Sequence, residues 1–456
     1  MNSHFDPDLI RAYDVNGPRY TSYPTANLFS ESFAPDAYTQ ALRELPDSAP
    51  LSLYIHVPFC ATICYYCACN KIITNNRRHA IGYLNSLFTE MDLVSSQLQG
   101  FHPVEQLHFG GGTPTYLSDA QFVEVFDHLQ KRFQLQSGPD RDYSIEIDPR
   151  TVTPERIRFL CEIGINRMSL GIQDFDPDVQ LAVNRLQSED DTAAIMRAAR
   201  DNSVKSISVD LIYGLPKQNP RSFTRTLERV IGLNPDRISL YSYAHLPARF
   251  KTQRQINTAD LPSPEAKLGL LQLAVETLSA AGYIHIGMDH FARPEDELVK
   301  AQADGSLHRN FQGYTTHGHC ELVGLGVSAI SSISNRYCQN AKSLPDYTAA
   351  LASGRLPVER GLLLTGEDTM IREIIGDLMC HFTLDVRALE ASYGDPGREV
   401  YESALPALRP LAEDGLVELL PGRLNVTERG RYLIRNVCMV FDRHLPVATT
   451  SFSKAI

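Results

Sequence analysis

From residue 51 onward, short runs of β-branched and aromatic residues alternate with stretches whose apolar positions recur every three or four residues. The first pattern predicts strands over 51–56, 106–109, 143–148, 167–172, 206–212 and 237–243, with a seventh candidate over 283–288. The second predicts helices near 79–98, 118–133, 154–163, 189–202, 220–232 and 264–281, several of them opened by cap signals such as Ser118-Asp119, Thr153-Pro154 and Ser263-Pro264. Strict strand–helix alternation implies an α/β fold, a parallel sheet with helices outside. No Gly-x-Gly-x-x-Gly follows the first strand. Six such units in succession therefore fit a partial (β/α)6 barrel of the TIM type better than a doubly wound sheet. In a barrel the reacting groups stand at the C-terminal ends of the strands.

The pattern differs at both ends. Residues 1–48 read as a polar, Pro-containing N-terminal extension with a short helix at about 35–45. Near 365 the alternation stops. Helices are predicted over 366–380 and 398–414, a hairpin over 415–420 and 424–427 about Pro421-Gly422, and a last helix over 428–441. That outline is winged-helix-like. The expected division is 1–48, then 49–364 for the barrel and its extension, then 365–456 for a mostly helical C-terminal domain.

Charge narrows what these parts do. Residues 365–456 hold 10 Lys and Arg against 14 Asp and Glu, a net of −4, which suits a cover or packing element rather than a reader of DNA. The whole chain carries a formal charge of −11, against nucleic acid or an anionic membrane as partner. No uncharged apolar stretch reaches bilayer length, and the first residues are acidic where a signal peptide is basic and then apolar. A cytoplasmic, monomeric protein is expected.

Four of the nine cysteines fall within ten residues, as Cys60-x3-Cys64-x2-Cys67-x-Cys69, directly after the first strand. The other five, Cys161, Cys320, Cys338, Cys380 and Cys438, read as small buried hydrophobes. Structural zinc prefers two Cys-x-x-Cys pairs far apart. Three closely spaced thiolates suit a [4Fe-4S] cube with one iron left open. Cys69, one residue beyond Cys67, falls outside the Cys-x3-Cys-x2-Cys spacing, which sets it off from the ligands. Gly111-Gly112-Thr113, after the second strand, would bring backbone N–H groups to a ligand. Glu146, near the end of the third strand, needs a cation. Gln173, Arg185 and Asp210 lie at or after the fourth and fifth strands, and are polar groups that need another polar ligand.

The cysteine spacing resembles the signature of the radical S-adenosylmethionine (SAM) superfamily. Further segments are similar to the oxygen-independent coproporphyrinogen III oxidase family: Tyr54–Cys60, Cys69-Asn70-Lys71, His108–Thr115, Ile145–Pro149, Gly171–Phe175, Asp210–Pro216, Asp289–Ala292, Asn310–Thr316 and Gly326–Ile330. The resemblance runs from about residue 17 to about residue 445. It implies cluster ligands Cys60, Cys64 and Cys67, and two SAM molecules. Tyr54, Gly111 and Glu146 would serve the first. Tyr66, Gly112, Thr113, Gln173, Arg185, Asp210, Ala244 and Ile330 would serve the second. Cys69, His56 and Glu146 are the candidate catalytic residues. The implied reaction is oxidative decarboxylation of two propionates of coproporphyrinogen III to vinyls, giving protoporphyrinogen IX in anaerobic heme (porphyrin) synthesis, with electrons from a reductant protein such as flavodoxin or ferredoxin. Heme chaperones and methyltransferases use the same scaffold; Cys69, Arg185 and the Asn310–Thr316 segment favour the oxidase.

Overall fold

The computed structural model describes residues 5–445. They form two compact units, neither continuous in sequence. One comprises Phe29–Pro262 and His319–Leu363; the other comprises the residues up to Leu28, Ser263–Gly318, and those from Leu364 onward. The boundary drawn at 364 from sequence falls within one residue of the limit between the units at Leu363 and Leu364, whereas no limit lies at 48, and Ser263–Gly318 belongs with the two ends of the chain.

The larger unit holds six parallel strands, β1 (Leu51–Val57), β2 (Pro103–Gly111), β3 (Asp142–Ile147), β4 (Arg167–Gln173), β5 (Ser206–Tyr213) and β6 (Arg237–Ser242). They lie in sequential order, and helices Arg78–Ser95, Asp119–Arg132, Pro154–Glu162, Glu189–Asp201 and Pro220–Leu233 make the five crossovers. β1 is buried along almost its whole length, although Ser52 and His56 interrupt its apolar residues. On the free side of β1 the sheet continues with β7 (Glu321–Leu325), parallel to β1. Three antiparallel strands follow: β8 (Ile330–Ile333), β9 (Arg336–Asn340) and β10 (Val358–Leu363). The linear order β6-β5-β4-β3-β2-β1-β7-β8-β9-β10 makes this an open, partial barrel. Ser118 closes a capping box with Gln121, and Thr153 accepts from Arg156 N–H ahead of Pro154, as the sequence signals require.

The seventh candidate strand takes a different place. Ile284–Gly287 belongs to the smaller unit and turns back antiparallel on His290–Ala292, with positive φ at Gly287 and Met288 making the turn. The smaller unit also contains helices Gly366–His381, Val386–Tyr393 and Asp395–Glu413, with a three-stranded sheet ordered Thr383–Asp385, Arg423–Val426, Val417–Leu420. The final predicted helix is broken into Glu428–Arg431 and Ile434–Phe441.

Glu90 pins the first crossover helix. It is 1% exposed. Gly326 N–H and Tyr347 O–H donate to its Oε2 at 2.7 Å each, and Asn340 Nδ2–H donates to its Oε1 at 2.5 Å. Burial pushes its carboxyl from 4.5 up to about 7, more than the three donors offset. A carboxyl raised on folding contributes stability that is complete below its unfolded value and is lost as pH rises through its folded one. Glu90→Gln, which does not titrate, is therefore expected to flatten the decline in urea-unfolding stability between pH 4.5 and about 7. Glu90→Ala leaves three buried donors without an acceptor and is expected to cost about 3 kcal/mol or more. An unaltered pH slope in Glu90→Gln would show that the carboxyl is ionised throughout.

Candidate active site

The cysteine loop leaves the C-terminal end of β1 and folds over the barrel mouth. Phe59–Cys60 pairs with Ile72–Ile73, closing its base. Tyr65 and Tyr66 pack against a cluster of Val179, Val183, Ile212, Leu215, Tyr243 and Ile256. Asn184 Nδ2–H donates to Ile63 O at 2.7 Å, Thr252 Oγ1–H to Cys67 O at 3.2 Å, and Gln253 Nε2–H to both Tyr66 O (3.1 Å) and Ala244 O (3.2 Å). Polar and apolar contacts from three later segments thus hold one loop whose own residues include little regular structure.

Each candidate cluster ligand has its own surroundings. Thr113 Oγ1–H points to Cys60 Sγ at 3.3 Å, while burial pushes that thiol up to about 11. Cys64 is buried, with Arg150 Nη2 and Arg185 Nη1 each 3.5 Å from its Sγ. Cys67 is held below the ordinary thiol range by the Cys69 S–H, aided by the Lys71 ammonium, and Cys69 is pushed up in turn by its bond to Cys67. The two side chains therefore meet. The reason is local. Cys67 N–H bonds to Cys64 O in a turn, and Lys71 Nζ donates to Cys67 O (3.0 Å) and Cys69 O (3.4 Å), curling the segment. Cys69 itself is exposed.

Beside the loop, a polar chain runs across the ends of β1, β2 and β3. His56 is buried; its Nε2–H donates to Asn70 O at 3.0 Å, which leaves Nδ1 to accept from Tyr54 O–H at 3.0 Å. Desolvation lowers the His56 pKa and keeps the ring neutral. Tyr54 stacks on His108 at 5.7 Å, and His108 Nε2 lies 3.4 Å from Glu146 Oε1. Glu146 opens onto the cleft, its side chain 45% exposed. Desolvation would raise its pKa, but the His108 imidazole and Gly111 N–H (3.1 Å) hold it below the ordinary range.

The glycine turn works differently from the expectation. Gly111 N–H donates to Glu146, Gly112 N–H to Val57 O and Thr113 N–H to Phe59 O, so all three N–H groups are used inside the chain. The glycines serve close packing instead. A Cβ on Gly111 (φ +111°) would lie 2.5 Å from His56 Cε1, and one on Gly112 would lie 2.8 Å from the Pro58 carbonyl.

Arg185 and Asp210 are likewise partnered. Arg185 Nη2–H donates to Gly171 O at 2.6 Å and Nη1–H to Asp148 Oδ2 at 3.1 Å, leaving only Nε buried without an acceptor. Asp148 also pairs with Arg150 at 2.7 Å; desolvation notwithstanding, the two guanidiniums hold its carboxyl low. Asp210, half-buried, accepts from Ser169 Oγ–H at 3.3 Å, and burial pushes it up to about 7, with the Glu146 charge adding to the rise. Gln173 ends β4 in a left-handed conformation (φ +65°), and Gly171 leaves room for its amide beside Arg185. Ile330 begins β8, two strands from Tyr54 across Gly324, whose missing side chain admits the Ile330 carbonyl. Sequence reasoning missed Asp148, Arg150, His108, Thr252 and Gln253 as parts of this site. Asp148 and His108 lay inside the quoted motifs; the other three carry no local signal.

The donor set suits an iron–sulfur cluster: three thiols on one loop, one flanked by two guanidiniums and one depressed towards thiolate. The Radical SAM superfamily profile matches residues 54–230, and the HemN C-terminal domain profile matches 364–433. The chain is 52% identical over 443 residues to the oxygen-independent coproporphyrinogen III oxidase of Pseudomonas aeruginosa, covering 97% of this chain and 96% of that one. It is 48% identical to the Escherichia coli enzyme of the same name, again covering 97% and 96%. The solved structure described as "Coproporphyrinogen III oxidase (HemN) from Escherichia coli is a Radical SAM enzyme" superimposes with a TM-score of 0.92 at 46% identity, over 97% of this chain and 99% of that one. The chain belongs to the oxygen-independent coproporphyrinogen III oxidase family of the radical SAM superfamily.

Proposed function

We propose that the chain converts coproporphyrinogen III to protoporphyrinogen IX by oxidative decarboxylation of two propionates in anaerobic heme synthesis, using one [4Fe-4S] cluster and two SAM. The observation that carries this reading is the cysteine loop seated at the end of β1, beside the Tyr54–His56–Glu146 chain, in a protein similar to these oxidases over nearly its full length. When bound, the cluster and SAM supply a 5′-deoxyadenosyl radical that takes a hydrogen from the β-carbon of a propionate. The chain's own residues do the rest. Cys60, Cys64 and Cys67 hold the irons. Arg150 and Arg185 offset the thiolate charge at Cys64, and Thr113 does so at Cys60. Glu146, kept anionic, accepts the ammonium of the first SAM; Tyr54 and Gly111 shape that pocket. Neutral His56 fixes the Tyr54 ring.

The second SAM falls to Tyr66, Gly112, Thr113, Gln173, Arg185, Asp210, Ala244 and Ile330. The unpartnered Arg185 Nε supports a further acceptor there, and the shared donor Gln253 supports Tyr66 and Ala244 lying on one wall. Cys69, exposed and a donor to Cys67, stands outside the ligand set and acts on the substrate side. A flavodoxin- or ferredoxin-like protein supplies electrons to a cytoplasmic monomer. Among the described residues no helix is long and apolar enough to cross a membrane.

Three results test this. Ser in place of Cys60, Cys64 or Cys67 is expected to abolish the iron and sulfide of the anaerobically reconstituted protein, whereas Cys69→Ser keeps both and loses protoporphyrinogen formation. Loss of iron from Cys69→Ser would overturn the ligand assignment. Equilibrium binding is expected to give two SAM per wild-type chain and one in Arg185→Ala, with most turnover lost in that variant. One SAM per fully active wild-type chain would refute the two-SAM site.

A further inference from the structure

At the opposite end of β1, the described residues bring an imidazole, a thiol and a carboxylate together. Donor atoms of Glu105, His319 and Cys320 all lie within 4.8 Å of one another. Glu105 Oε2 is 2.8 Å from His319 Nε2 and 3.8 Å from Cys320 Sγ. Cys320, expected from sequence to be a small buried hydrophobe, instead directs its sulfur at a carboxylate. Glu105 and Cys320 are half-buried and His319 is exposed, so the cluster is seated in the rim yet open to solvent.

The placement follows from the ladder. Leu51, the first residue of β1, pairs with Val104 of β2 on one side and with Glu321 of β7 on the other. The next residue, Ser52, pairs with Gln106, so Glu105 is the extra residue of a β-bulge. A bulge releases one side chain from the regular alternation and re-aims it. Here it turns the carboxylate towards the two residues that precede β7. The three side chains thus straddle the start of β1, while the cysteine loop follows its far end.

We propose that Glu105, His319 and Cys320 form a mononuclear site for a zinc-class divalent transition metal, with water as the fourth ligand. Mixed nitrogen, sulfur and oxygen donors select borderline metals, whereas magnesium and calcium take oxygen alone. Metal–ligand bonds of about 2.0–2.3 Å in a tetrahedron place donors roughly 3.3–3.8 Å apart. The Cys320–Glu105 separation already matches. The His319–Glu105 pair opens by about half an ångström when the metal replaces their hydrogen bond. On binding, the Cys320 thiol loses its proton to solvent, His319 coordinates neutral through Nε2, and no electron is transferred. The metal then clips β2 to β7 across β1 at the N-terminal rim, where a barrel's side chains serve stability rather than chemistry.

The test uses the cluster-loaded enzyme, in which Cys60, Cys64 and Cys67 are occupied by iron and do not compete. Anaerobic titration with Zn2+ is expected to add one ion per chain beyond the cluster metals, to shield Cys320 from alkylation as mapped by peptide mass spectrometry, and to raise the thermal unfolding midpoint. Cys320→Ser and His319→Ala are each expected to weaken Zn2+ binding at least tenfold and to lose the midpoint shift, with cluster iron content reporting that both still fold. Equal Zn2+ affinity in the variants and the wild type, or no ion beyond the cluster metals in the wild type, would overturn the proposal and leave a plain Glu105–His319 ion pair.

Discussion

One guanidinium organises the mouth of the barrel. Arg185 reaches back from the segment after β4, donates to Gly171 O on β4 itself, pairs with Asp148 just past β3, and stands 3.5 Å from Cys64 in the loop after β1. Three chain segments that are remote in sequence are therefore located by one buried side chain, 6% exposed. Burying such a charge costs several kcal/mol before partners are counted, and well-packed apolar residues often do as well for stability alone. What the arrangement secures is position. Asp148 is shared with Arg150, so two guanidiniums converge on the same Cys64 sulfur. Gly171 is part of the same constraint, since a Cβ on it would lie 2.9 Å from Arg185 Nη2.

The barrel strands are legible in sequence because short segments rich in β-branched and aromatic residues alternate with helical periodicity, and the helices because their caps are local chemistry. That reading puts Glu146 and Gln173 near strand ends and Asp210 within the fifth strand, while their site roles come from the family resemblance. What escaped depends on contacts distant in sequence. Nothing in Ile284–Gly287 tells that it turns back on His290–Ala292; the decision rests with the positive φ of Gly287 and Met288. The bond between Cys67 and Cys69 depends on a curl of the loop that Lys71 fixes by donating to the carbonyls of both residues. The N–H groups of Gly111 to Thr113 looked available until β1 and Glu146 came alongside to take them. The bulge at Glu105 is invisible until β1 is laid against β2.

Two glutamates in the larger unit show how the same side chain is given opposite work. Glu90 sits in a closed space, 1% exposed, and its donors are a backbone N–H, an amide and a phenol, all neutral. Neutral donors do not repay the loss of water around a full charge, so its carboxyl rises to about 7. Glu146 opens onto the cleft and is paired with an imidazole as well as a backbone N–H, and its carboxyl falls. The first is suited to holding helix Arg78–Ser95 in place and has no room for a ligand. The second keeps its charge, has a face open to the cleft, and is oriented by His108 and Gly111. Preorganisation of this kind suits the SAM pocket proposed above, because a pocket that had to rearrange around its ligand would also admit water to it. The stacked Tyr54 and His108 rings, and the neutral His56 behind Tyr54, add stiffness of the same sort. Rigidity at the C-terminal ends of β1 to β3 is thus assembled from hydrogen bonds and ring contacts within the larger unit, and it leaves Glu146 as the charged group turned outward from that frame.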